Sequence, residues 1–304
     1  MKKVALVLGG GGARGLSHIG VLNVLEKENI PIDMIVGTSM GAIIGACYAV
    51  NPNAKEVEKC IRKALEGSAF ANMRLNIFQE KPEDKKNFFD KAQDFIKYGY
   101  IQIAEHTKYA ILELEKLEEM IFSVVPDIDI RETKIPFSCV ATDLTNGDEK
   151  VFNRGSLRKC VLASSSIPGI FPPIEIDSTF YCDGGSVNVT PVSTARNRGA
   201  GLIVACDVKS KIVRWEKPEK AVEIISRSNY ITGVMLNNLS LRDADVLINA
   251  DVKYLHWYDF EKMDLIIKEG AKAAELVVPR IRAKLEAFGL PGFLKRLFKG
   301  LGNR

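Results

Sequence analysis

A strong excess of charge of one sign is missing from this chain. A formal net charge of +4 is spread over 304 residues, and no basic run interleaved with aromatics occurs in its body. That excludes a dedicated nucleic-acid binder, whose electrostatic footprint would stand out. Paired cysteines are missing too. The six (Cys47, Cys60, Cys139, Cys160, Cys182, Cys206) are scattered, with no C-x-x-C pair and no histidine at ligand spacing, so neither a disulfide framework nor a metal site is legible. Most fall in apolar runs, as reduced core residues of an intracellular protein would. With 12 prolines, 46% hydrophobic and 26% charged residues, nothing in the composition points to disorder. Long apolar runs are also absent. Met34 to Val50 carries no charge, yet it is shorter than the roughly 18 residues of a spanning helix, and a Gly-Thr-Ser-Met-Gly turn breaks it. Met1-Lys2-Lys3 ahead of Val4 to Leu8 imitates a signal peptide, but the apolar stretch is short and meets glycines and Arg14 rather than a cleavage site. The expectation is a soluble, cytoplasmic protein.

What is present begins with Ile35-Val36-Gly37-Thr38-Ser39-Met40-Gly41-Ala42-Ile43. It reads as an apolar strand, a tight turn holding one serine, and a helix of small residues, the nucleophile-elbow pattern G-x-S-x-G. A serine presented at the lip of a sheet sits in a strained turn, and its neighbours two residues either side must lack a Cβ. Gly37 and Gly41 meet that need. Ala42, Gly45, Ala46 and Ala49 recur at helical spacing, so this helix can press close against a sheet.

Upstream, Val4 to Leu8 is an apolar run suited to a buried strand, Gly9 to Gly12 make a glycine loop, and Leu16 to Glu28 form a helix. Ile32 to Val36 is the strand that leads into the elbow. Strand, helix and strand make a βαβ unit with parallel strands and a right-handed crossover. Gly10-Gly11-Gly12-Ala13-Arg14-Gly15 fits the dinucleotide fingerprint G-x-G-x-x-G. That fingerprint also wants an acid at the end of the second strand, where this chain carries its serine. The other reading is that the loop's N–H groups hold a developing oxyanion. Both motifs leave the same edge of adjacent parallel strands, where open α/β sheets place their sites, and this favours catalysis.

Further on, Lys55 to Glu66, Asn87 to Tyr109 and Leu114 to Val125 read as helices, the second rich in aromatics that suit a helical layer or the wall of an apolar cleft. Ile135 to Thr142 is a buried strand, Ser156 to Ala163 a short helix, and Ile174 to Tyr181 a hairpin that delivers Cys182-Asp183-Gly184-Gly185. Thr190 to Gly199 is expected as helix, Leu202 to Cys206 as strand, Glu219 to Ile248 as mostly helix, Val252 to Leu255 as a late strand and Asp264 to Phe288 as a final helix.

A serine nucleophile needs a base, and histidine is the usual one. The chain has three. His18 lies behind the glycine loop, His106 in a charged helical region, and His256 in the late strand, and none sits in a turn that would explain its placement. Asp183 does, because two glycines follow it at the end of a strand. A carboxylate is a weak base, with a free pKa of about 4, and works only if desolvated and aimed at the hydroxyl.

The Gly10–Gly15 loop, Gly37-Thr38-Ser39-Met40-Gly41 and Asp183-Gly184-Gly185, in this order, resemble the patatin-like phospholipase family, especially its small bacterial members. Ala163-Ser164-Ser165-Ser166-Ile167-Pro168 and Phe171-Pro172-Pro173 share in the likeness, which covers about Lys3 to Asp207. The resemblance implies a three-layer α/β fold, with a mostly parallel central sheet and helices on both faces. It also implies a Ser39–Asp183 dyad without histidine, and an oxyanion hole from Gly10, Gly11 and Gly12, with Arg14 orienting the loop or meeting a lipid phosphate. No metal or organic cofactor follows from it.

The expected function is hydrolysis of an acyl ester, a phospholipid, lysophospholipid or related lipid. The rivals are an adaptor or regulatory protein with little turnover and a nucleotide-binding Rossmann protein, which leaves the elbow and the Asp-Gly-Gly turn unexplained. One domain is expected over residues 1–290, with a helical insertion at about 52–125. After it, Phe293, Leu294, Leu297, Phe298 and Leu301 share one helical face of a short basic tail over residues 291–304, suited to peripheral contact with an anionic membrane at its inner surface.

Overall fold

The structure, a computed structural model, describes residues 3–72, 110–208, 212, 214, 221–252 and 254–287. The helix expected over Asn87–Tyr109 and the tail over 291–304 lie outside the described residues. The described strands are β1 (Lys3–Leu8), β2 (Met34–Thr38), β3 (Phe137–Asp143), β4 (Glu149–Phe152), β5 (Ile174–Ile176), β6 (Thr179–Asp183), β7 (Ala200–Asp207) and β8 (Val246–Asn249). The helices are α1 (Ser17–Lys27), α2 (Met40–Val50), α3 (Ala54–Glu66), α4 (Ser68–Asn72), α5 (Leu114–Val124), α6 (Leu157–Ser165), α7 (Val192–Asn197), α8 (Ala221–Leu241) and α9 (Met263–Ala287).

One mixed sheet forms the middle layer. Its pairing runs β5-β6-β3-β2-β1-β7-β8, with β4 pairing β3 off that path. The strands β3, β2, β1, β7 and β8 are parallel, whereas β4 and β6 run antiparallel to β3. Side chains alternate across a strand, so β1 feeds two cores. Val4, Leu6 and Leu8 join Ile35 and residues of α1, α2 and α9 on one face, while Ala5 and Val7 join Val36, Ile203 and Val192 of α7 on the other. Helices therefore cover both faces, as the three-layer expectation required.

The pairing of β3 decides where the site lies. β4 occupies one edge of Cys139–Thr142. β2 takes Phe137–Val140 and β6 takes Ala141–Asp143, so these two must share the opposite edge. They meet end to end, because Thr38 pairs Val140 and Asp183 pairs the next residue, Ala141. The serine turn and the aspartate turn are thus brought together by consecutive residues of one strand.

Three expectations are corrected. Val252, Tyr254 and Leu255 are not in a strand; the last strand among the described residues is β8, at residues assigned above to the end of a helix. A run as short as Val246-Leu247-Ile248 fits either period, and parallel pairing with Val204–Cys206 decides for strand. The helix over Thr190–Gly199 is shorter, beginning after Pro191. β4 went unanticipated because it carries Glu149 and Lys150, as an exposed edge strand tolerates. All six cysteines are free, five of them buried, but Cys60 is exposed on α3.

Candidate active site

Ser39 is the link between β2 and α2, with φ 56° and ψ −125°. A non-glycine residue there costs roughly 1–3 kcal/mol, so its surroundings must impose it. They do so by close approach. A Cβ on Gly41 would stand 2.1 Å from the Leu8 carbonyl oxygen, and one on Gly37 would stand 2.5 Å from that of Gly41. Hydrogen bonds complete the clamp. The Ser39 N–H donates to Ser164 Oγ at 3.1 Å, and that hydroxyl donates to the Val140 carbonyl at 2.6 Å. Ser165 Oγ donates to the Ser39 carbonyl at 3.4 Å, and Thr38 Oγ1 to that of Asn188 at 2.9 Å.

Asp183 closes β6 and is buried. Its N–H donates to the Ser166 carbonyl at 2.8 Å, and its own carbonyl accepts from Thr142 Oγ1 at 2.8 Å. The Ser39 hydroxyl lies close enough to the carboxylate to favour its charged form, and Asp183 Oδ1 accepts the Gly185 N–H at 2.7 Å. Burial pushes its pKa up to about 6, against the opposing pull of Ser39 and the Gly185 N–H. A carboxylate tuned to this range ionises near neutrality yet holds a proton more readily than a solvated acid, which suits a general base.

The glycine loop lies beside the serine, since a Cβ on Gly10 would stand 3.2 Å from that of Ser39. Its donors are not equivalent. Gly9 donates to Cys206, Gly10 to the Val189 carbonyl at 2.9 Å, and Ala13 to the Trp257 carbonyl at 2.7 Å. Gly10 was expected among the oxyanion donors, but its N–H is spent on Val189. The Gly11 and Gly12 N–H groups meet no acceptor among the described residues. Gly12 has φ +56°, and a Cβ there would stand 2.3 Å from the Trp257 carbonyl oxygen. Gly15 abuts Met40 at the start of α2. Strained serine, buried acid and unpaired loop donors form one cluster.

The profile of the patatin-like phospholipase family matches residues 6–196, which holds the glycine loop, the elbow and Asp183. The chain belongs to the patatin-like phospholipase family. Patatin-like phospholipase domain-containing protein 6 of Homo sapiens is 33% identical over 210 residues, 68% of this chain and 13% of that protein. Patatin-like phospholipase domain-containing protein ZK370.4 of Caenorhabditis elegans is 32% identical over 209 residues, 68% of this chain and 14% of that protein. Lysophospholipase NTE1 of Candida glabrata is 27% identical over 314 residues, 95% of this chain and 17% of that protein. The chain thus spans less than a fifth of these relatives' length. Among solved structures, VipD from Legionella pneumophila shares the fold, with a TM-score of 0.51 at 14% identity, over 92% of this chain and 67% of that one.

In this patatin-like chain Arg14 sits behind the loop rather than in it. Its Nε donates to the Gly11 carbonyl at 3.3 Å and its Nη1 to that of Leu255 at 3.4 Å. Burial draws its pKa down to about 10, while Tyr230, Asp207 and Asp259 favour the charged form. Arg14 therefore braces the loop.

His18 is buried, and burial lowers its pKa to about 4, so it is neutral. A neutral ring next to a carbonyl must donate, which puts the proton on Nε2 at 2.8 Å from the Gly9 oxygen. His256 lies in a loop with its ring stacked on Tyr258, and His106 lies outside the described residues. Sequence reasoning missed the jobs of Ser164, Ser165 and Ser166, although three adjacent serines closing a short helix and its cap were a signal. Among the described residues no three His, Cys, Asp or Glu side chains converge as a metal site would need.

Proposed function

We propose that the protein is a serine esterase that hydrolyses acyl lipids with a Ser39–Asp183 dyad. The observation that carries this reading is the strained Ser39 turn set beside a buried carboxylate, Asp183, whose pKa burial raises to about 6. Ser39 Oγ attacks the ester carbonyl carbon while its proton passes to Asp183. The oxyanion is held by the Gly11 and Gly12 N–H groups; one such donor is typically worth about 3 kcal/mol of transition-state stabilisation. Collapse breaks the ester C–O bond, and the leaving alkoxide takes the proton from Asp183. Water then attacks the acyl-serine, giving a proton to Asp183. The fatty acid leaves, and the proton returns to Ser39 Oγ.

The family name and relatives named lysophospholipase support a phospholipid or lysophospholipid as the lipid class. The proposed setting is the cytoplasm, with peripheral contact at the inner membrane surface. No helix among the described residues is long and apolar enough to cross a membrane. Wild type and Ser39→Ala incubated with a mixed lipid extract, with products read by mass spectrometry, test the proposal. Free fatty acid and its partner alcohol should appear with wild type alone. Identical products from both proteins, or none from wild type, would overturn it.

A further inference from the structure

Helix α8 is built inside out. Its inner stripe includes Arg227, Val234 and Asn237, all buried. Its outer arc carries Ile224, Ile225, Ile231, Met235, Leu236 and Leu239, each between 38% and 56% exposed. From Ser228 to Leu241 the chain has no charged residue at all. An ordinary surface helix turns its apolar stripe inward and its charges outward. A contiguous apolar face on a water-facing helix marks an interaction surface.

The polar inner stripe shows that this orientation is held. Asn237 Nδ2 donates to Asp207 Oδ1 at 2.9 Å at the end of β7, and Ser240 Oγ donates to the Thr190 carbonyl at 2.7 Å. Turning the helix over would strip buried Asn237 and half-buried Ser240 of their partners, which costs more than the hydrogen bonds themselves are worth.

Its position ties the face to the site. Tyr230 lies near Arg14, behind the glycine loop. Gly233, Leu236, Asn237 and Ser240 line a cavity together with the Gly185–Val189 stretch that follows Asp183. The helix therefore runs along the rim from the glycine loop to the aspartate turn.

We propose that the outer face of α8 seats the protein on an anionic lipid bilayer, with the helix lying in the interface plane beside the site. Charge selects this occupant. The preceding residues 208–220 hold Lys209, Lys211, Arg214, Lys217, Lys220 and Trp215 against Glu216 and Glu219. Ile212 and Arg214 in that stretch are exposed. A basic, aromatic stretch next in sequence to a charge-free apolar face suits a surface of acyl chains and anionic headgroups. The proposal rests on the lipid-hydrolase reading for its purpose, but its test measures binding without turnover.

The full chain carrying Ser39→Ala is floated with phosphatidylcholine vesicles, with and without phosphatidylglycerol. Binding should favour the anionic vesicles and weaken in salt. Adding Ile231→Ser, Met235→Ser and Leu239→Ser should lower partitioning on the order of tenfold or more. In the Ser39 background the same three changes should leave melting and hydrolysis of a water-soluble short-chain ester unaltered. Undiminished flotation of the triple variant would overturn the proposal. So would a switch from dimer to monomer in light scattering with vesicle binding unchanged, which would make the face a contact between two copies. Hydrogen exchange on the chain with α8 unaltered decides the matter even where the variant unfolds. Vesicles should protect residues 224–239, and unchanged exchange there would refute the seat.

Discussion

The parallel and antiparallel halves of the sheet deliver the two partners of the site in different ways. Ser39 comes off β2 in the parallel half, where shape does the work: Gly41 touches the Leu8 carbonyl, and the strained turn has no room for a side chain on either flanking glycine. Asp183 comes off β6 in the antiparallel half, where burial and hydrogen bonding do the work, setting a carboxylate between the Ser39 hydroxyl and the Gly185 N–H. The nucleophile is therefore a steric construction and the base an electrostatic one. A methyl group should ruin the first; beside Asp183 the outcome depends on the glycine, because a Cβ on Gly184 would collide with the Val140 carbonyl oxygen whereas one on Gly185 meets only the Asp183 carboxylate.

The largest effect removes either partner. Ser39→Ala and Asp183→Asn should each lower ester hydrolysis on the order of 10⁴-fold or more, because the pair acts as one unit. Circular dichroism should show both folded, and His256→Ala should keep substantial turnover. A His256 variant as damaged as Ser39→Ala would replace the dyad with a triad.

A methyl group placed in each half sharpens the contrast. Gly41→Ala puts a Cβ 2.1 Å from a backbone oxygen, and should cost about 3 kcal/mol or more in denaturant unfolding. Gly185→Ala meets only Asp183 Oδ1, at 3.0 Å. It should cost under about 1 kcal/mol of stability. Because that oxygen must shift away, its turnover should fall by more than its stability. Equal unfolding midpoints for the two variants would erase the distinction.

The last effect is a gain. The folded pKa of Asp183, about 6, stands above the value of about 4 expected in the unfolded chain. Between those two values the native state binds more protons than the unfolded state. Ionising Asp183 therefore costs nothing below about pH 4, and the cost grows as pH rises to 6 and stays constant above. Asp183→Asn cannot ionise, so it should become more stable relative to wild type across that window, by up to roughly 3 kcal/mol. Melting scans at pH 4 and pH 8 read the difference, and an equal gap at both would mean the acid is not held under strain.

The two halves were also unequally legible. The elbow was plain because its glycines answer a local steric need, so Gly37 and Gly41 could be assigned without knowing their neighbours, whereas the glycine loop fitted two readings until the family resemblance was added. The buried strands β1, β2, β3 and β7 were visible as apolar runs. The antiparallel half depends on distant partners. Nothing near Asp183 says that β6 ends where β2 ends, since both are aligned by β3. Glu149 and Lys150 hid β4, and Val246–Ile248 was too short to tell strand from helix. The inverted α8 was hidden for a related reason, since an apolar stripe reads the same from the sequence whichever way it faces.

The account stands most directly on Asp183 activating Ser39. The rate of covalent labelling by a fluorophosphonate, followed against pH in wild type and Asp183→Asn, measures that step without any choice of lipid. Wild type should label at Ser39, with a rate that rises through a midpoint near pH 6, where burial has placed the Asp183 carboxyl. Asp183→Asn should label slowly, with that midpoint gone. Labelling of Asp183→Asn at the wild-type rate, with the same midpoint, would contradict the dyad.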